Sequence, residues 1–100
     1  MSAFDTPIIR KSATGTQTSV ASSAADVTLL AANAGRLGAS IYNDSTQILY
    51  LLLADAASST SVYTVQLVAG AYYEVPFGYT GVIKGIWAGA NGNARITEFT

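Results

Sequence analysis

From residue 17 onward, turn-forming residues punctuate this chain about every 8 to 12 positions, with short runs of β-branched, aromatic and aliphatic side chains between them. That cadence leaves no room for long helices. It suits an antiparallel sandwich or small barrel, in which each strand crosses one sheet and reverses. Strands are expected over residues 17–21, 38–43, 47–54, 61–68, 71–75, 82–88 and 94–99. Asn43-Asp44-Ser45-Thr46, Ala69-Gly70, Gly78-Tyr79-Thr80-Gly81 and the stretch 89–93 supply turns. Asn91-Gly92 is the strongest short hairpin signal among them. Gly85 interrupts the 82–88 run and reads as a bulge. In residues 26–32, Val27, Leu30, Ala31 and Ala34 sit at helical spacing, yet Val27, Leu29 and Ala31 also alternate, and Val-Thr favours strand. The expectation is therefore an all-β protein. It is an antiparallel β-sandwich of jelly-roll type with about eight short strands. An N-terminal arm (residues 1–16) precedes the sandwich domain (residues 17–100). Ile41, Leu49, Leu51, Val65, Leu67, Val75, Ile86 and Ile96 are the expected core.

Composition matters at this point because it asks what covers the sandwich. Of the 100 residues, 50% are hydrophobic and only 11% are charged, against a usual charged share of about 25%. With no Cys and no His, neither disulfides nor a Cys/His metal site can reinforce a domain this small. Oligomerisation is the remaining device, and a homo-oligomer is expected. A trimer is the expected form, by fold-level analogy alone. Residues 48–53, Ile-Leu-Tyr-Leu-Leu-Leu, are apolar on both faces, so their second face is covered either within the domain or by another subunit. Leu49, Leu51 and Leu53 are candidate contacts on that strand. The arm offers Phe4, Ile8 and Ile9 as anchors, either on a neighbouring subunit or as a frayed end. Tyr72 and Trp87 complete the candidate interface. Tyr72 and Tyr73 must point to opposite faces of one strand, and Trp87 sits beside the 89–93 loop as a rim residue. A sugar-binding platform of Tyr79, Trp87 and the Asn91 loop is a further option.

The same inventory excludes much chemistry. Without His, the usual general base is missing, and a Ser–Lys pair would have to use Lys11 or Lys84, neither of which has the required spacing. The six carboxylates, Asp5, Asp26, Asp44, Asp55, Glu74 and Glu98, are never close in sequence. No glycine cluster has a phosphate-cradling spacing. No catalytic residue, metal ligand or cofactor is expected. The net charge is −1, and Arg10, Lys11, Arg36, Lys84 and Arg95 are scattered, so no nucleic-acid surface is expected. The longest apolar run, 48–54, is too short for a membrane-spanning helix.

Residues 29–53 carry a resemblance. Asn33, Arg36 and Gly38 form an Asn-x-x-Arg-x-Gly corner, followed by Asn43-x-Ser45 and then Leu49-Tyr50. This pattern resembles a recurring segment of small virion proteins of tailed bacteriophages. The stretches 70–76 (Gly-Ala-Tyr-Tyr-Glu-Val-Pro), 81–88 and 94–98 are similar to it as well, so the likeness covers roughly residues 26 to 99. The resemblance implies a β-sandwich part of the particle, either a capsid decoration (cement) protein or a head-fibre subunit. It also implies a major capsid protein or another virion protein as partner, and a place in the virion after assembly in the host cytoplasm. The alternative it implies is a receptor- or glycan-binding module of a fibre or tail tip, with a host surface glycan as ligand. Asn33, Arg36, Gly38, Asn43 and Ser45 are expected to be structural corner residues. In that role Asn33 would tolerate a left-handed backbone, and Arg36 would bond orphan carbonyls across the turn.

Overall fold

The computed structural model describes residues 11–100. Among them are eight strands and no helix: β1 (Gly15–Ala21), β2 (Val27–Leu30), β3 (Gly38–Ser45), β4 (Leu49–Leu52), β5 (Val65–Leu67), β6 (Tyr72–Val75), β7 (Ile83–Trp87) and β8 (Gly92–Phe99). They form two four-stranded sheets, β1-β8-β3-β6 and β2-β7-β4-β5. Every pairing is antiparallel. The first strand pairs with the last, the second with the seventh, the third with the sixth and the fourth with the fifth. The chain is thus one long hairpin with its tip between β4 and β5, rolled so that its strands fall alternately into the two sheets. This is the jelly-roll arrangement, and the expected fold class holds.

Alternation places the core. On the first sheet Ala39 and Ile41 of β3, Ala94 and Ile96 of β8 and Val75 of β6 point inward; on the second, Leu29, Leu49, Leu51, Leu67, Ile83 and Trp87 do. Two expected core residues are corrected. Ile86 lies on the outer face opposite Tyr50, because Leu49 pairs with Trp87 and so brings Trp87 inward. Val65 is only partly buried at the start of the short edge strand β5. Gly85 is not a bulge. It keeps the inward phase of β7 between Ile83 and Trp87, and the irregularity sits on the partner strand β2, between Thr28 and Leu30, opposite Lys84 and Ile83. A Cβ on Gly85 would lie 2.8 Å from Leu29 Cδ1 and 3.1 Å from Leu49 Cδ1, so the missing side chain lets two core leucines meet.

Strand ends also move. Asn43, Asp44 and Ser45 extend β3 rather than forming a turn, because they pair with Ala94, Asn93 and Gly92 of β8. Residues 61–63 leave the sheet, while Thr64 still bonds Leu51 of β4 and Leu53 just beyond it. The Ser59 hydroxyl accepts the N–H groups of Ser61 (3.2 Å) and Val62 (2.9 Å), and these local bonds replace a ladder. At the N-terminus, Gly15 and Thr16 already pair with Phe99 and Glu98, so the arm reaches no further than residue 14. Its anchors Phe4, Ile8 and Ile9 lie outside the described residues.

Candidate functional site

The corner residues of the resemblance form two buried polar nodes. Asn33 opens the first. Its side-chain oxygen accepts the Gly35 N–H (3.0 Å), its backbone carbonyl accepts the Arg36 N–H (3.0 Å), and its own N–H donates to the Thr80 carbonyl (2.8 Å). No described non-glycine residue has a positive φ, so Asn33 contributes an Asx turn and not a left-handed backbone. That turn aims Arg36 into the end of the sandwich, where it is 1% exposed. Its Nε donates to Glu98 Oε2 at 2.7 Å, its Nη1 to the Gly81 (2.8 Å) and Tyr79 (3.2 Å) carbonyls, and its Nη2 to the Ala31 carbonyl. Glu98 follows Ala94 and Ile96 on the inward face of β8, where a third apolar residue would otherwise stand. One guanidinium thus joins the β2–β3 connection, the 76–82 loop and β8. Gly38 shows no steric demand, since a Cβ there would meet only Phe99 at an ordinary 3.8 Å.

The second node is Asn43, fully buried on the inward face of β3. Its Nδ2 donates to the carbonyls of Gln47 and Leu67, both at 2.8 Å, and its Oδ1 accepts from Trp87 Nε1 (3.2 Å) and the Ser45 hydroxyl (2.7 Å). The Ser45 oxygen in turn accepts the Gln47 N–H at 3.1 Å, closing the turn into β4. This node holds the β3–β4 turn, β5 and β7 together. Among the described residues no buried side-chain polar atom lacks a partner.

These positions correct the expected interface. Leu49, Leu51 and Trp87 are 0%, 0% and 1% exposed and belong to the core between the sheets, so they do not meet a neighbour. Leu53 is partly buried against that core. The sugar platform of Tyr79, Trp87 and Asn91 does not form, because Trp87 is interior and the Tyr79 hydroxyl donates to the Val82 carbonyl at 2.7 Å. Tyr72 remains exposed, at 64%. Directly opposite it on β3 stands Tyr42, exposed at 42%, which sequence reasoning did not single out. Its signal was present: with Ile41 inward, Tyr42 must point outward.

The outer faces differ. On the first sheet the register sets Ser19, Arg95, Tyr42 and Tyr72 in one row and Gln17, Thr97, Ser40 and Glu74 in the next. Arg95 donates along its own row to Ser19 Oγ (2.9 Å) and across to Asp44 Oδ2 (2.8 Å), with which it forms an exposed ion pair. On the second sheet the chain partly covers its own apolar strand. Tyr63 of the β4–β5 loop lies on Tyr50 with ring centroids 5.1 Å apart, and Gln66 donates to the Tyr63 hydroxyl at 2.7 Å. The same loop brings Ser58 to Asp26, which takes its N–H (2.7 Å) and its hydroxyl, while Lys84 Nζ lies 2.9 Å from the other Asp26 oxygen.

Partial burial raises the Asp26 pKa, but the Ser58 hydroxyl and N–H and the Lys84 ammonium outweigh it, so the carboxyl titrates below its usual range. A depressed folded value stabilises above the unfolded value, about 3.9, and that contribution is lost as pH falls through the lower folded value. Asp26→Asn should therefore lower the melting temperature at neutral pH and flatten its fall below about pH 4. A wild-type acid slope in the variant would show that the Ser58 and Lys84 contacts do not stabilise the fold.

Among the described residues there is no pocket and no group of three His, Cys, Asp or Glu side chains. No family model, no curated protein and no solved structure matches the chain. The accessible features are two sheet faces and their edges, so the candidate site is a surface.

Proposed function

We propose that this chain is a structural subunit of a tailed-bacteriophage virion, a capsid decoration or head-fibre protein that binds the particle surface and other copies of itself. The reading is carried by the corner residues of the resemblance. Asn33, Arg36, Asn43 and Ser45 are spent on holding loops to strands, which is what a protein selected for a durable scaffold requires. The jelly roll is an architecture that capsid and lectin domains share, so the fold admits the reading without deciding it. A major capsid protein is the proposed main partner, and the arm at residues 1–14 is the proposed attachment segment.

Quantitative mass spectrometry of purified particles tests this. The expected result is many copies per virion, released with the head fraction. Absence from the particle overturns the proposal. Removing residues 1–10 should leave the melting transition nearly intact and weaken co-sedimentation with particles. A truncated protein that binds like the full chain would move attachment to the sandwich.

One observation favours the second reading, a glycan-binding module at a fibre or tail tip. Tyr42 and Tyr72 stand side by side and exposed, with Glu74 and Arg95 in adjoining positions of the register. Two such rings offer a stacking surface for a sugar, and the charged groups offer partners for its hydroxyls. A few copies per particle, together with sugar-induced NMR shifts abolished by Tyr72→Ala, would favour this reading over decoration.

A further inference from the structure

The four sheet edges of this sandwich are unequal. β6 has four residues and runs into Pro76, β5 has three, and β2 has four with a register shift at Leu29. Short length, proline and irregularity are the usual devices that stop an edge from pairing. β1 has none of them. It runs seven residues, Gly-Thr-Gln-Thr-Ser-Val-Ala, in unbroken register with β8, without charge or proline, and all but Val20 are exposed.

The direction of its free backbone groups follows from two bonds. The Thr100 N–H donates to the Thr14 carbonyl, and the Ser22 N–H donates to the Gly92 carbonyl, each at 3.0 Å. Even-numbered residues therefore turn their backbone groups toward β8. Gly15, Gln17, Ser19 and Ala21 turn theirs outward to an edge that no described strand pairs with.

From this edge we infer that β1 is the site where a second copy of this chain adds, antiparallel, across a two-fold axis at Thr18. In that register Gln17 faces Ser19 of the other copy and Gly15 faces its Ala21, so every outward N–H and C=O is paired. Thr18 faces itself, and Thr16 faces Val20, in the close, non-hydrogen-bonded positions. Self-pairing suits this strand in particular. A charge on the axis would face its own copy, and β1 carries none there or elsewhere, while the Thr–Thr pair at the axis is a favourable cross-strand neighbour. Two four-stranded sheets become one continuous sheet. The inference stands on β1 alone and does not require the virion reading. A contact of this kind closes a dimer, not the trimer that analogy suggests.

The chain has no cysteine, so one introduced thiol gives a clean test. In the full chain, Thr18→Cys places two thiols at the axis with Cα atoms about 4.5 Å apart, within disulfide reach. Ser19→Cys faces Gln17 of the other copy and puts the two thiol-bearing Cα atoms more than about 7 Å apart, beyond disulfide reach. The expected results are a dimer by light scattering and a crosslinking rate at least about tenfold higher for Thr18→Cys than for Ser19→Cys. Thr18→Lys, which sets two ammonium groups against each other at an exposed position, should give a monomer with an unchanged far-UV spectrum. A monomeric or trimeric wild type, equal crosslinking by the two cysteine variants, or a dimer that survives Thr18→Lys would each overturn the inference.

Discussion

Replacing Arg36 by methionine is expected to destabilise the fold by about 3 to 5 kcal/mol, the range for breaking a buried ion pair from one side. The volume is nearly kept, so the loss is one of bonding. The carbonyls of Ala31, Tyr79 and Gly81 lose their donor, and the Glu98 carboxylate, with 18% of its side chain exposed, loses its partner. Each orphaned acceptor costs roughly 1 to 3 kcal/mol where water cannot reach it. Arg36→Lys should recover only part, because one ammonium cannot point at β8, the 76–82 loop and the β2–β3 connection together. Glu98→Gln should cost less than either, since the guanidinium keeps its three carbonyls. Urea titrations measure all of these. A loss below about 1 kcal/mol for Arg36→Met would mean that water replaces the guanidinium at this corner.

The second large effect is expected at Asn43. Asn43→Leu takes the acceptor from the Trp87 indole N–H and the side-chain donor from the Leu67 carbonyl, leaving the Gln47 carbonyl only the Ser45 hydroxyl, and a loss of about 4 kcal/mol is expected. Asn43→Asp is more informative because it keeps the shape and the acceptor for Trp87 but puts a carboxylate against two carbonyl oxygens. Burial and those oxygens raise the pKa of the introduced carboxyl in the folded state. A raised folded value makes the native state bind more protons than the unfolded chain, so stability should rise as pH falls through it. The variant should thus be weakest at neutral pH and regain stability in acid, opposite in sign to the Asp26 contribution. Trp87 is the only tryptophan, so its fluorescence reads this site directly. A variant as stable as wild type at pH 7 would show that the node does not depend on the amide.

Much of the scaffold was legible because it is local. Period-two alternation marked Ile41, Leu49, Leu51, Leu67, Val75 and Ile96 as inward, and all six are. Asn91-Gly92 marked a reversal where the chain does take a left-handed residue, but the expected hairpin does not form: the chain crosses there from β7 in one sheet to β8 in the other. Gly92 has φ 93°, and a Cβ would lie 2.3 Å from the Asp44 carbonyl oxygen. Of residues 26–32, Val27–Leu30 resolved as strand because Val27, Thr28 and Leu30 find partners in β7, with the register shifting at Leu29.

Trp87 and Ile86 show where local pattern stops. Gly85 leaves the phase of β7 unreadable, because a glycine that bulges and a glycine that lets Leu29 and Leu49 approach look the same in sequence. Arg36 and Asn43 show the same limit for polar residues. Arg36 bonds carbonyls as expected, but its burial and that of Asn43 depend on carbonyls delivered from residues 81 and 67, which only the rolled hairpin brings near. By itself, the sequence determined strand content, turn sites and most of the inward face, because each depends on neighbours a few residues away. Only the tertiary structure decided that β1 lies beside β8, that Trp87 is core, and that Tyr42 and Tyr72 share a surface. Those outcomes are set by strand order and register, which arise from the simultaneous packing of two sheets whose paired strands lie far apart in the chain.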